Sequence, residues 1–175
     1  DLGVLAGHMH GSIGGSGTVL CMEWAGEAVE VGANVRNVKA GDRIMGSSAA
    51  AAAEYTVADH GRVYPIPAGM DFERAVTLPV ALQTMHDAVV VNGRLKPGES
   101  VLVMGASSGV GLMAMLIAKK MGAGLVVGSS TNAGRRARLG EFGADLAVDT
   151  SDPAWPDQVT KATRGKGVDL VVDQL

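Results

Sequence analysis

From residue 100 onward the apolar positions fall in continuous runs. SVLVMG (100–105), LVVGSS (125–130), LAVDT (146–150) and VDLVVDQL (168–175) are each of strand length, and helix-length stretches at residues 110–121, 133–142 and 157–163 separate them. Strands that are apolar at consecutive positions are buried on both faces, and an intervening helix returns the chain for parallel pairing. The pattern predicts an α/β fold, a doubly wound parallel sheet with strands joined by helices. Four strands are present by this count, and such sheets commonly continue to six, so the sheet is expected to be incomplete.

The first half is patterned differently. Short extended runs at residues 26–31, 43–45, 54–57 and 62–66 are separated by Gly, Pro, Asn and Asp, which predicts a small β-rich unit. GHMHGSIGGSG (7–17) has no periodicity and is expected to be an exposed loop; the alanine run at 49–53 suits either a loop or a short helical turn. Helices begin at DFERAVTLP, where Asp71 is an N-cap candidate, and at PVALQTMHDAVVV, which opens with a proline suited to a first helical turn. Two domains are expected, residues 1–85 and 86–175.

Composition narrows the function classes. The 175 residues are 47% hydrophobic, enough for a core. Net charge is -3, with neither half strongly basic, and aromatics are 3%, which argues against nucleic-acid binding. The one apolar stretch of membrane-spanning length, 101–118, is interrupted by GASSG and followed by Lys119 and Lys120, so no membrane association is expected. A single cysteine, Cys21, and no charged leader before an apolar core make a reducing cytoplasm the expected location.

Candidate chemistry centres on GASSGVG, residues 105–111, at a strand-to-helix turn. Gly105 ends the strand, Gly109 lets backbone approach a ligand, and Gly111 allows helix and strand to pack closely. The helix N-terminus offers N–H groups and positive dipole to a diphosphate, so Gly105, Ala106, Ser107, Ser108, Gly109, Val110 and Gly111 are the candidate phosphate loop. The competing possibility is a tight turn without a ligand. The spacing departs from G-x-G-x-x-G, because Ala106 and Ser108 stand in two positions of that pattern.

MEWAGEAVEVGANVRNVKAGDRIMG, AEYTVAD, PIPAGMDFERAVTLPVALQTMHDA, LKPGESVLVMGASSGVG and GVDLVVD follow one another in an order and spacing that resembles the medium-chain dehydrogenases and reductases, in their quinone oxidoreductase-like branch. GASSGVG alone also resembles the short-chain dehydrogenases, but no tyrosine follows Tyr64 to supply their Tyr-x-x-x-Lys. The medium-chain resemblance implies part of a GroES-like β-barrel domain at 1–85, part of a Rossmann domain at 86–175, and a whole protein of roughly twice this length, as two-domain α/β enzymes have. It implies a polar catalytic tyrosine upstream of Asp1, Thr84 near a nicotinamide, and homodimers formed at a sheet edge beyond Leu175, which leaves the oligomeric state of this chain open. Tyr55 is either a cleft residue or a strand residue packed in the barrel.

The end of the second parallel strand offers Ser129, Ser130 and Thr131 where an NAD site normally places an acidic residue, and Arg135 and Arg136 follow. A guanidinium fork suits a 2'-phosphate, so the cofactor is expected to be NADPH with Arg135 as its anchor; the alternative is that Arg135, Arg136 and Arg138 form a solvated helix face. Zinc members of the family take ligands where this chain has Met22 and Val80, neither of which coordinates zinc as imidazole or thiolate does, so no metal is expected. His8 and His10 alone lack further ligands, and His60 and His86 are expected to be structural. The implied activity is zinc-independent hydride transfer from NADPH to a quinone, enone or related carbonyl, with an alcohol dehydrogenase or a non-catalytic nucleotide-binding module as alternatives.

Overall fold

The computed structural model describes residues 19–174. His8, His10, the loop expected over residues 7–17 and Leu175 lie outside the described residues. The chain divides into two compact units, Asp1–Val80 and Ala81–Leu175.

The first unit carries a three-stranded antiparallel sheet, β1 (Glu23–Glu27), β2 (Arg43–Ser47) and β3 (Val63–Pro65), in that order. A 3-10 turn, His60–Arg62, leads into β3, with Asp59 accepting from the Gly61 N–H at 2.7 Å. Helix α1 (Phe72–Ala75) starts where the sequence indicates, because the Asp71 carboxylate accepts from the Arg74 N–H at 2.8 Å and satisfies an otherwise open donor. Met45, Ile66 and Ala75 form the unit's small core, with Ala25, Met70 and Leu78 against it.

Two expectations for this unit are corrected. The strand expected at 26–31 is instead β1: Trp24 pairs with Gly46 and Ala25 with Met45, while Val29 and Val31 are exposed. Residues 54–57 form no strand, and Tyr55 and Val57 are 74% and 93% exposed. The β-branched and aromatic residues there carry strand propensity, but that propensity reflects packing on a half-buried surface, and this stretch has none. The alanine run is loop, held by the Ala51 and Ala52 N–H groups donating to the carbonyls of Cys21 and Leu20.

Helix α2 (Pro79–His86) opens on a proline, and its next N–H, that of Val80, donates to the Glu23 carboxylate at 2.8 Å. A carboxylate from a distant strand thereby serves a helix N-terminus. The helix runs on into a π-helical turn, Asp87–Asn92, with the Gly93 N–H donating to the Ala88 carbonyl.

The second unit is a parallel sheet of β4 (Ser100–Val103), β5 (Leu125–Ser129), β6 (Leu146–Val148) and β7 (Leu170–Val172), in the order β6-β5-β4-β7. Val101, Val103 and Val126 face one side, where they pack with Val89, Ala114 and Met115 of the helices. Leu102, Val127 and Val148 face the other, against Val159. Helix α3 (Gly109–Lys120) supplies the first layer, and helix α5 (Trp155–Ala162), which follows a short helix α4 (Ala133–Arg136), supplies Val159 to the second. Both faces are covered, so the fold is a doubly wound Rossmann sheet as the apolar runs predict.

One helix expected here is broken. Residues 133–142 form α4 and then a separate 3-10 turn, Leu139–Phe142. Gly134 and Gly140 weaken the helix, and Leu139, 1% exposed, turns into the core.

Carboxylates tie the N-terminal ends of the strands. Asp169, just before β7, accepts from the N–H and the hydroxyl of Ser100 at 2.7 Å each, and these two bonds hold its carboxyl below the usual carboxylate range. Asp145 accepts from the Val126 N–H at 2.7 Å and from Lys119 Nζ at 2.6 Å. Among the described residues no helix is long and apolar enough to cross a membrane.

Candidate functional site

In the order β6-β5-β4-β7 the chain runs outward from β4 in both directions, so the crevice at the C-terminal end of β4 is the topological switch point. Residues 104–108 turn the chain there from β4 into α3. Gly105 sits at φ +64°, in the left-handed region that favours glycine. At Gly111 a Cβ would stand 2.6 Å from the Gly105 carbonyl oxygen and 2.7 Å from the Ala106 Cα, so only glycine lets the first turn of α3 lie against the strand end. At Gly109 a Cβ would meet nothing within 4 Å, and the backbone faces open space.

Ser108 caps the helix: its hydroxyl accepts from the Gly111 N–H at 3.0 Å, and its carbonyl accepts from the Leu112 N–H at 2.9 Å. Among the described residues the N–H groups of Gly109 and Val110 have no acceptor. Two open donors at the positive end of a 12-residue helix, beside backbone without a side chain in the way, fit an anionic oxygen. The turn is fixed from β5. Gly105 N–H donates to the Ser129 hydroxyl at 3.2 Å, Ala106 N–H to the Ser129 carbonyl at 2.9 Å, and the hydroxyls of Ser107 and Ser130 stand 3.0 Å apart. Ser129 and Ser130 are buried, Thr131 is exposed, and β5 ends without a carboxylate.

Three arginines follow β5 with three different situations. Arg136 Nη1 donates to the Ser130 carbonyl at 2.7 Å and pairs with Asp149 at 2.9 Å. The Asp149 carboxyl is held below the usual range by the hydroxyl and N–H of Ser151, with Arg136 adding to the effect. Arg138 pairs with Glu141 at 2.9 Å. Among the described residues the Arg135 guanidinium has no partner, and it lines a cavity of about 380 Å3 together with Ser107, Leu112, Asn132 and Phe142. The Asn132 side-chain Oδ1 caps α4 by accepting from the Arg135 N–H at 2.9 Å.

Tyr55 belongs to the first unit, in no strand and largely exposed, which corrects the view of it as packed in a barrel. Thr84 is an exposed residue of α2 in the second unit. His60 is exposed, its Nδ1 3.1 Å from the Asn37 side-chain oxygen, and His86 is exposed. At the two zinc-ligand positions Met22 is 56% exposed and Val80 offers only its N–H, already bonded to Glu23; this donor set does not fit zinc. Among the described residues no group of three or more His, Cys, Asp or Glu could hold a metal.

Two residues at the site escaped sequence reasoning. Asp149 is joined to Arg136 across 13 positions and an intervening strand, a pairing no local spacing signals. Gln174, after β7, accepts from the Ser108 hydroxyl at 3.2 Å, and its Nε2 is buried without a partner among the described residues.

Comparison with known proteins agrees with this architecture. The family described as zinc-binding dehydrogenase matches residues 109–175. The human quinone oxidoreductase is 33% identical over 153 residues, covering 86% of this chain and 46% of that protein. The Escherichia coli quinone oxidoreductase complexed with NADPH superposes with a TM-score of 0.77 at 28% identity, covering 90% of this chain and 48% of that one. A probable oxidoreductase from Mycobacterium abscessus gives a TM-score of 0.79 at 34% identity, covering 89% and 50%. The chain thus spans about half the length of each of these three relatives. With a parallel sheet in Rossmann order, a glycine turn at its switch point and these relatives, the chain belongs to the medium-chain dehydrogenase/reductase superfamily and is quinone oxidoreductase-like.

Proposed function

We propose that this chain is part of an NADPH-dependent, zinc-independent oxidoreductase that reduces a quinone, enone or related carbonyl by hydride transfer. The observation that carries this is the pair of N–H groups on Gly109 and Val110, without an acceptor among the described residues, at the N-terminus of a 12-residue helix, with Arg135, whose guanidinium has no partner among the described residues, lining the neighbouring cavity. The N–H groups would hold the diphosphate, Ser107, Ser130 and Thr131 would face the adenosine ribose, and Arg135 would take the 2'-phosphate as a bidentate fork. When bound, the nicotinamide supplies the hydride. The absence of a carboxylate after β5 favours NADPH over NADH.

Within this proposal, residues 1–85 belong to a GroES-like catalytic domain and 86–175 to the Rossmann domain. Thr84 would stand near the nicotinamide, and Tyr55 would be a surface residue of the cleft. A cytoplasmic setting and a homodimer complete it, the first supported by the single cysteine and the second by resemblance alone. The relatives named quinone oxidoreductase support the substrate class. Vacant ligand chemistry at Met22 and Val80 weighs against a zinc alcohol dehydrogenase.

Titration of the chain with NADPH and NADH, followed by addition of a quinone, tests this directly. Tighter NADPH binding and NADPH consumption on quinone addition are expected. Equal binding of the two nucleotides would overturn the NADPH assignment, and tight binding without consumption would favour a non-catalytic module.

A further inference from the structure

Of the three arginines after β5, Arg136 is the one whose guanidinium is held by two different residues, Ser130 and Asp149. Its Nη1 donates to the Ser130 carbonyl at 2.7 Å and to Asp149, after β6, at 2.9 Å, and both side chains of the pair are only about a quarter exposed, at 23% and 26%. Asp149 is itself fixed, accepting from the N–H of Ser151 at 3.0 Å and from its hydroxyl at 2.5 Å. Ser130 is 7% exposed, and its hydroxyl meets that of Ser107 at 3.0 Å and accepts from the Asn132 N–H at 3.3 Å. A continuous polar chain therefore runs from the end of β6 through Arg136 and Ser130 to Ser107, inside the glycine turn.

We propose that Arg136 is a positioning residue: anchored on Asp149, it sets the Ser107–Ser130 bridge and thereby the shape of the glycine turn, and it does not bind the nucleotide phosphate. The proposal rests on the cofactor assignment above for its consequence in binding, but the coupling itself exists without a nucleotide. A guanidinium already neutralised by a carboxylate, with Nη1 taken up by that carboxylate and by a carbonyl, has lost its net charge and one arm of the fork that phosphate recognition needs. Arg135, three residues beyond its Asn132 cap and lacking a partner among the described residues, keeps both. Adjacent arginines of one short helix thus divide two roles, with Arg135 setting which nucleotide binds and Arg136 setting how well either binds.

The test uses the full chain and the variants Arg136→Ala, Ser130→Ala and their double. Without nucleotide, amide hydrogen exchange at residues 105–110 is expected to quicken in both single variants and no further in the double, because neighbours in one network are not additive. With nucleotide, Arg136→Ala is expected to weaken NADPH and NADH alike, by roughly fivefold as for one lost hydrogen-bonded link, with their ratio unchanged. Arg136→Lys, which keeps the pair with Asp149, is expected to restore part of the protection. Unchanged exchange in Arg136→Ala, or a collapse of the NADPH to NADH ratio, would overturn the proposal. Quickened exchange in a chain that binds neither nucleotide would uphold the coupling and overturn the cofactor assignment instead.

Discussion

A Cβ atom on Gly111 would lie 2.6 Å from the carbonyl oxygen of Gly105, so helix α3 and the end of β4 meet backbone to backbone. Gly109, two residues earlier, faces open space. Substituting each with alanine should separate folding from binding. Gly111→Ala is expected to destabilise the chain by about 1–3 kcal/mol through overpacking. Gly109→Ala is expected to leave the melt unchanged or raised slightly, since alanine is the better helix former, while its methyl obstructs a nucleotide. Thermal melts and NADPH titrations of the two variants check this; equal melting of both variants would contradict it.

Arg135→Ala removes the guanidinium that lines the cavity and has no partner among the described residues. NADPH binding is expected to weaken by roughly ten- to a hundredfold, as for a charge-assisted contact, while NADH binding barely changes. Parallel calorimetric titrations with the two nucleotides measure the ratio, and equal weakening of both would remove Arg135 from the phosphate.

Ser108→Ala removes the hydroxyl that accepts from the Gly111 N–H. Loss of a helix N-cap costs about 1 kcal/mol, so the melting temperature is expected to fall by a few degrees. The NADPH to NADH ratio should not move, because the cavity that Arg135 lines is bordered by Ser107 and not by Ser108. A melt unchanged from the parent would show the cap to be energetically idle.

Asp169 carries a pH signature. Its folded-state pKa lies below the ordinary value because Ser100 donates to it twice. A depressed carboxylate contributes stability that is fully present above the unfolded value, about 3.9, and is lost as pH falls through the lower folded value. The gap in denaturation midpoint between the parent and Asp169→Asn is therefore expected to be widest near neutral pH and to shrink below about pH 4. A gap constant with pH would show that the charge on Asp169 is irrelevant.

On the proposed function, treatment with a strong chelator is expected to leave quinone-dependent NADPH consumption and the melt unchanged, since Met22 and Val80 stand where the resemblance puts zinc ligands. Loss of activity that added zinc restores would refute zinc independence.

The parallel half was legible because its signals are redundant. Val101, Leu102 and Val103 are apolar in succession because alternate residues face two different cores, and the glycine pattern marks a strand-to-helix turn where backbones touch. The antiparallel half was less so. Tyr55 and Val57 look like strand residues in composition, yet both are exposed and pair with no strand among the described residues, and β1 lies earlier than its valines suggest. At the site, the glycine turn could be located from sequence, but which arginine stays open could not. Arg138 and Glu141 are a local i,i+3 pair, but that Arg136 rather than Arg135 is taken up depends on Asp149, which reaches it only once β5 and β6 stand side by side.

Asp169 and Asp145 fasten the sheet where its strands begin, whereas hydroxyls and bare amides gather where β4 and β5 finish. Anchorage and recognition therefore occupy opposite rims of the same four strands. Changes at Ser107, Ser130 or Arg135 can retune what is recognised without loosening the moorings, which leaves natural variation and protein engineering two dials that turn separately.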